Sequence, residues 1–225
     1  MNALKIKIIA IVTMLIDHIG HILFPTELLF RYFGRIAFPL FAFLIANGAV
    51  YTKNINKYLA RLGILAIVSE PLFDRMLGRQ LNFFMHTNIF YTLFLAVAVI
   101  AIFKFTKEKN LILSYVVFFT ASYAAYIIAN YISTDYMGLG VLLILSLYVT
   151  KNSKLLLPFV ISAFMFALYG IGNFLTFSLL STIPIYLYNE IQGFNNKILQ
   201  WGFYLFYPAH ILILIVIRAL VYGIY

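Results

Sequence analysis

The 225-residue chain contains no cysteine. Disulfides, thiolate nucleophiles, zinc–thiolate sites and iron–sulfur clusters are therefore excluded. Charge is also scarce: Asp, Glu, Lys and Arg make up 10% of the residues, where soluble domains carry about 25%. No polar stretch is long enough to house a soluble domain. A chain that is 64% hydrophobic with so little charge is an integral membrane protein, expected as one membrane domain over residues 1–225. Acidic residues are scarcest, seven against sixteen Lys and Arg. The net charge of +9 sits mostly in short loops, where it sets orientation and is not a nucleic-acid signal.

What remains is a series of apolar runs of roughly twenty residues. Such runs are helical spans, because barrel strands alternate in shorter segments. The fold expected is an all-α polytopic bundle with about nine spans, within a range of eight to ten. They lie near residues 5–24, 32–51, 56–73, 88–103, 111–131, 137–150, 155–170, 173–188 and 200–222. The first lacks the small-residue cleavage site of a secretory signal and is expected to remain as a helix. Loops alternate in charge. Lys5, Lys7, Lys53, Lys57, Lys104, Lys107, Lys109, Lys151, Lys154 and Lys197 fall on one side, and Arg31, Arg75, Arg79, Glu27 and Asp135 on the other. The lysine-rich side is expected to be cytoplasmic, with the N-terminus inside and, for an odd count, the C-terminus outside.

Ionisable groups inside spans are costly and mark function. Lys7 and His18 lie eleven positions apart in the first span, about three turns, and so share a face. Asp17 adjoins His18 in sequence and cannot face it on the same helix. Glu70 or Asp135, from elsewhere, is the expected orienting acid. Arg35 lies a turn into the second span, where Gly34 and Ala37 permit close approach and Pro39 is expected to kink the helix. Glu70 and Asp74 share a face of the third span, with Pro71 between them expected to break it. Asn88 enters the fourth span as a cap or donor. Asp135 precedes Gly138 and Gly140, a pair too short for a phosphate-binding fingerprint. His210 lies midway along the last span behind Pro208. With this topology all but Lys7 and His210 fall in the outer half, which points to one common site. His18 and His21, with Asp17 close, have metal-ligand spacing, but no second histidine cluster accompanies them and no metal is expected.

The segments LKIKIIAIVTMLIDHIGHILFP, RYFGRIAFPLFAFLIANGAVYTKNINKYLARL, SEPLFDR, NIFYTLFL and YLFYPAHILIL resemble successive motifs of the TraX family, over nearly the whole chain. That family is named for a conjugation protein that acetylates the N-terminus of F pilin. It is distantly similar to the multi-span acyltransferases of bacterial surfaces. Those carry an arginine, ten residues and a histidine in the first span, and here Lys7 and His18 hold that spacing. A point charge thus replaces a planar fork. The resemblance implies an acyltransferase of the bacterial cytoplasmic membrane that moves an acetyl group from acetyl-CoA to an acceptor at the outer face. The acceptor would be a pilin-like peptide, a glycan or a lipid. His18 would be the base, Lys7 would hold the donor, and Arg35 would stabilise charge on the carbonyl oxygen. Glu70 and His210 join His18 and Arg35 as catalytic candidates, and Asp17, Asp74, Asn88 and Asp135 are further site candidates.

Two other readings stay open from the residues alone. A proton- or ion-coupled transporter also uses intramembrane Asp, Glu and His, but it would carry inverted repeats, and no internal repeat stands out. A structural subunit of a conjugation or secretion machine would tolerate alanine at His18 and Arg35. The residues do not specify an oligomeric state.

Overall fold

A computed structural model describes residues 1–194 and 196–223. Every regular element in them is helical: α1 (Ala3–Leu23), α2 (Leu28–Gly34), α3 (Ala37–Tyr51), α4 (Ile55–Met76), α5 (Ile89–Lys107), α6 (Leu111–Tyr131), α7 (Met137–Thr150), α8 (Leu156–Tyr169), α9 (Asn173–Leu179), α10 (Thr182–Tyr186) and α11 (Lys197–Tyr222). A two-residue turn separates α2 from α3, and another separates α9 from α10. Counting each such pair as one rod, these residues form nine rods, and the expected spans coincide with them to within about a turn.

Five stretches are long and apolar enough to cross a membrane: α1, α2–α3, α5, α6 and α11 from Ile198. α7 and α8 are shorter apolar helices. This is a multi-span membrane protein. α4 is 22 residues long, but Lys57, Arg61, Glu70, Asp74 and Arg75 make it the most polar of the long helices. The stretch 173–188, expected as a single span, is instead the short pair α9 and α10.

Terminal contacts fix the direction of the rods. At the lysine-rich end, Lys104 Nζ donates to the Ala49 carbonyl at 2.6 Å, joining the ends of α5 and α3. There too, Ala3 N donates to Ile191 O at 2.8 Å and Asn189 N to Met1 O at 2.9 Å, seating the chain after α10 on the start of α1. At the opposite end, Tyr222 donates to Leu23 O at 2.9 Å and Asp135 N to Thr87 O at 2.9 Å. Asparagine side chains cap α1, α4, α5, α6 and α11, satisfying amides that have no intrahelical partner.

The two prolines behave differently from each other. The second span breaks at Arg35–Ile36, between α2 and α3, one turn before Pro39, which cannot donate to the Arg35 carbonyl and whose ring crowds it. Pro71, by contrast, does not end the third span, because α4 continues through it to Met76. Its ring lies on the exposed face beside Ile67, so the carbonyl it leaves free faces away from the core.

Two glycines set the approach of α2 to α1. A Cβ on Gly20 would lie 2.2 Å from Phe30 Cβ, and one on Gly34 would lie 2.1 Å from Asp17 Oδ1. Gly138 and Gly140 likewise pack against Tyr126, Asn130, Tyr136 and Phe38, which explains that pair as helix packing. Gly20→Ala is expected to destabilise the protein by about 1–3 kcal/mol through overpacking. Gly202→Ala, where nothing lies within 4 Å, is expected to be neutral or stabilising. Thermal unfolding of both variants in detergent checks this.

Candidate functional site

A cavity of about 370 Å³ runs along α1, from Ala3 and Lys7 past Ile11 and Met14 to Asp17 and His18. α3 lines it with Phe38, Phe41, Leu44 and Ile45, and α11 with Phe203, Tyr204 and Tyr207. Asp135 and Tyr136 bound it near His18. The wall is mostly apolar, so its few polar groups define the chemistry.

His18 Nδ1 lies 2.6 Å from His210 Nε2, and His210 Nδ1 lies 2.6 Å from the Phe206 carbonyl oxygen. The two imidazoles are 7° from parallel with centroids 4.9 Å apart. Rings in one plane, edge to edge, have this spacing, which suits an in-plane N–H···N bond and not face-to-face stacking. The tautomers follow by elimination. A carbonyl oxygen only accepts, so His210 Nδ1 carries a proton. Neutral His210 then has a bare Nε2, which accepts from His18 Nδ1–H. The remaining nitrogen of His18, Nε2, is left with its lone pair on a residue that lines the cavity. His210 itself lies behind this wall, 4% exposed.

Asp17 does not orient His18. Arg31 Nη1 reaches its Oδ2 and Arg35 Nη2 its Oδ1, both at 2.7 Å. Arg35 is also held by the Arg31 carbonyl at 3.2 Å and by the Tyr169 hydroxyl at 3.3 Å. These contacts place Arg35 behind Asp17, not among the cavity-lining residues. The guanidinium therefore holds a carboxylate and is not positioned at a carbonyl oxygen in the cavity.

Glu70 is likewise not the partner of His18. It is fully buried, and its Oε2 accepts from the Asn88 backbone N–H at 3.0 Å and from Asn88 Nδ2. Asn88 also caps α5, its Oδ1 accepting from Phe90 N at 2.9 Å. Asp74 accepts from Asn82 N at 2.7 Å. The polar residues expected at one depth do lie toward one end of the bundle, but they form separate groups: the histidine pair, the Asp17 clamp, and the acids held by the 82–88 loop. Sequence reading missed Arg61, which lines the lysine-rich end of the cavity. A guanidinium two turns into a helix, with no acid nearby in sequence, was the available signal.

Asp135 lies in the loop between α6 and α7, an exposed residue that lines the cavity. Thr92 Oγ1 donates to its carbonyl. Desolvation pushes its carboxyl up to about 6, against the opposing pull of Arg35.

A family model described as TraX protein matches residues 3–218. The Dichelobacter nodosus protein named "Probable fimbrial assembly protein FimC, serogroup H1" is 25% identical over 241 residues, covering 95% of this chain and 94% of its own. The "Uncharacterized protein RP591" of Rickettsia prowazekii (strain Madrid E) is 32% identical over 139 residues, covering 62% of this chain and 50% of its own. No solved structure matches.

Asp17→Asn is expected to cost on the order of 2–3 kcal/mol. That is less than for a fully buried pair, because the Arg31 side chain is 29% exposed. Thermal unfolding in detergent measures it. Asp135→Asn is expected to stabilise the protein at pH 7.5. There the wild-type carboxylate is charged both folded and unfolded, and the folded state disfavours that charge. The gain disappears as pH falls from about 6 through the ordinary value of 3.8, where both states become protonated. Melting temperatures of the two proteins across that range check the sign.

Proposed function

The chain belongs to the TraX family, and from that premise we propose that it is a membrane-embedded acyltransferase. It moves an acyl group, acetyl from acetyl-CoA, to an acceptor met at the outer face of the bacterial cytoplasmic membrane. The long apolar helices cross the membrane with their lysine-rich ends on the cytoplasmic side. The observation that carries this reading is the histidine relay: His18 meets the cavity with an unprotonated Nε2, while its Nδ1 proton is held by His210.

In the reaction, Nε2 of His18 takes the proton from the attacking amine or hydroxyl as that group bonds to the thioester carbonyl carbon. The carbon–sulfur bond breaks, and the proton passes from His18 to the leaving thiolate. The products are the acylated acceptor and the free thiol of coenzyme A. His210 stabilises the imidazolium that forms by accepting the hydrogen bond from Nδ1–H, as a positioning residue. Lys7 lies toward the cytoplasmic mouth, where an anionic donor enters. Arg35 supports the site by fixing Asp17, whose carboxylate lies next to His18 in the cavity wall. The name of the Dichelobacter relative favours a pilin-type subunit as acceptor, its N-terminal amine being the nucleophile.

The residues also admit a proton-coupled transporter, but a cavity ending at a tautomerically fixed base favours acyl transfer. Purified protein in nanodiscs with radiolabelled acetyl-CoA tests this. Donor hydrolysis or transfer is expected in the wild type, with a loss of roughly 10²–10⁴ in rate for His18→Ala and no loss of donor binding. His210→Gln is expected to lower the turnover number while leaving KM for the donor unchanged. A folded His18→Ala variant with full activity would contradict the reading.

A further inference from the structure

The lysine-rich mouth of the cavity holds two cations with no acid beside them. Lys7 and Arg61 both line it, and the ion pairs among the described residues are both on Asp17. Arg61 is half-buried and held in place. Its guanidinium carbon lies 5.4 Å from the Tyr204 ring centroid and 5.8 Å from that of Tyr58, and its Nε donates to the Lys57 carbonyl at 3.2 Å. Lys7 Nζ lies 5.4 Å from the Phe203 centroid. Aromatic faces from α4 and α11 thus fix two positive charges at the entrance to an apolar passage, with the terminal guanidinium nitrogens unengaged. A planar fork with free N–H donors suits a phosphate oxygen pair.

The distance from this mouth to the base identifies what the phosphate is attached to. Eleven residues of α1 separate Lys7 from His18, a rise of about 16 Å. The phosphopantetheine arm has about thirteen bonds from phosphorus to sulfur, which at roughly 1.2 Å per bond of extended chain reaches the same distance. Resting on the acyl-CoA reading above, we propose that Arg61 and Lys7 form a pyrophosphate-binding site at the cavity mouth. The arm of coenzyme A then lies along α1 and delivers its thioester to His18. Arg61 supplies the bidentate contact, and Lys7 the point charge.

Binding of coenzyme A and of pantetheine to the nanodisc-embedded protein tests the site, because pantetheine has the arm without the pyrophosphate. The wild type is expected to bind coenzyme A at least about tenfold more tightly. Arg61→Gln is expected to abolish that preference and leave pantetheine affinity unchanged, Arg61→Lys to retain part of it, and Lys57→Gln, a surface change on the same helix, to have no effect. If Arg61→Gln holds coenzyme A as well as the wild type does, the site is overturned while the donor reading stands. An equal loss of both ligands also overturns it, since Arg61 would then only shape the cavity. If the wild type binds neither, both readings fall. Displacement of coenzyme A by added phosphatidylglycerol, in an Arg61-dependent way, would assign the site to a lipid headgroup and contradict the proposal.

Discussion

The hydrogen bond between His18 and His210 ties the first helix of the chain to the last, across 192 positions of sequence. His210, 4% exposed, must find its partners within the protein, whereas His18 keeps one ring nitrogen on the cavity. The Phe206 carbonyl ends the chain of donors and thereby sets every proton in it. One backbone oxygen, fixed by the helix it belongs to, determines which nitrogen of His18 meets the cavity. An imidazole held by a second group that fixes its tautomer is the arrangement triads use. Here a neutral histidine and a carbonyl take the place of a carboxylate.

Asp17 and its two arginines adjoin this arrangement on α1. The carboxylate is one residue from His18, and Gly34 brings α2 close enough for both guanidinium groups to reach it. The acid is thereby neutralised within its own cluster, and the local charge near His18 is held in a fixed geometry. Glu70 and Asp74 are sequestered in turn by Asn88 and Asn82. The polar end of the bundle thus holds separate groups, and in the acidic one Glu70 Oε1 and Asp74 Oδ1 stay buried without a hydrogen-bond partner. At the opposite end Lys7 and Arg61 line the cavity's mouth without an ion-pair partner among the described residues.

The helices were legible in the sequence because each is an apolar run of membrane-spanning length. The shared depth of the polar residues was legible because helix rise converts sequence offset into height. Lys7 and His18 could be placed on one face for the same reason. Partners could not be read. Nothing in the sequence distinguishes His210 from Glu70 as the group behind His18, since that depends on how α11 and α4 pack against α1. Asn88 was recognisable as a cap or a donor, and it is both. Pro71 misled because a proline's effect depends on the face it falls on, and here the ring lies outward. Arg61 was passed over, although its position within a helix sets it apart from the loop lysines.

The contacts of His18 and His210 leave the cavity-facing nitrogen of His18 unprotonated. Nitrogen-15 NMR of histidine-labelled protein in a membrane mimetic reads this directly. In the neutral state His18 is expected to carry its proton on Nδ1, with a scalar coupling across the hydrogen bond to His210 Nε2. In the His210→Gln variant that coupling is absent and the tautomer is no longer fixed. A wild-type His18 protonated on Nε2, with no coupling to His210, would contradict the account.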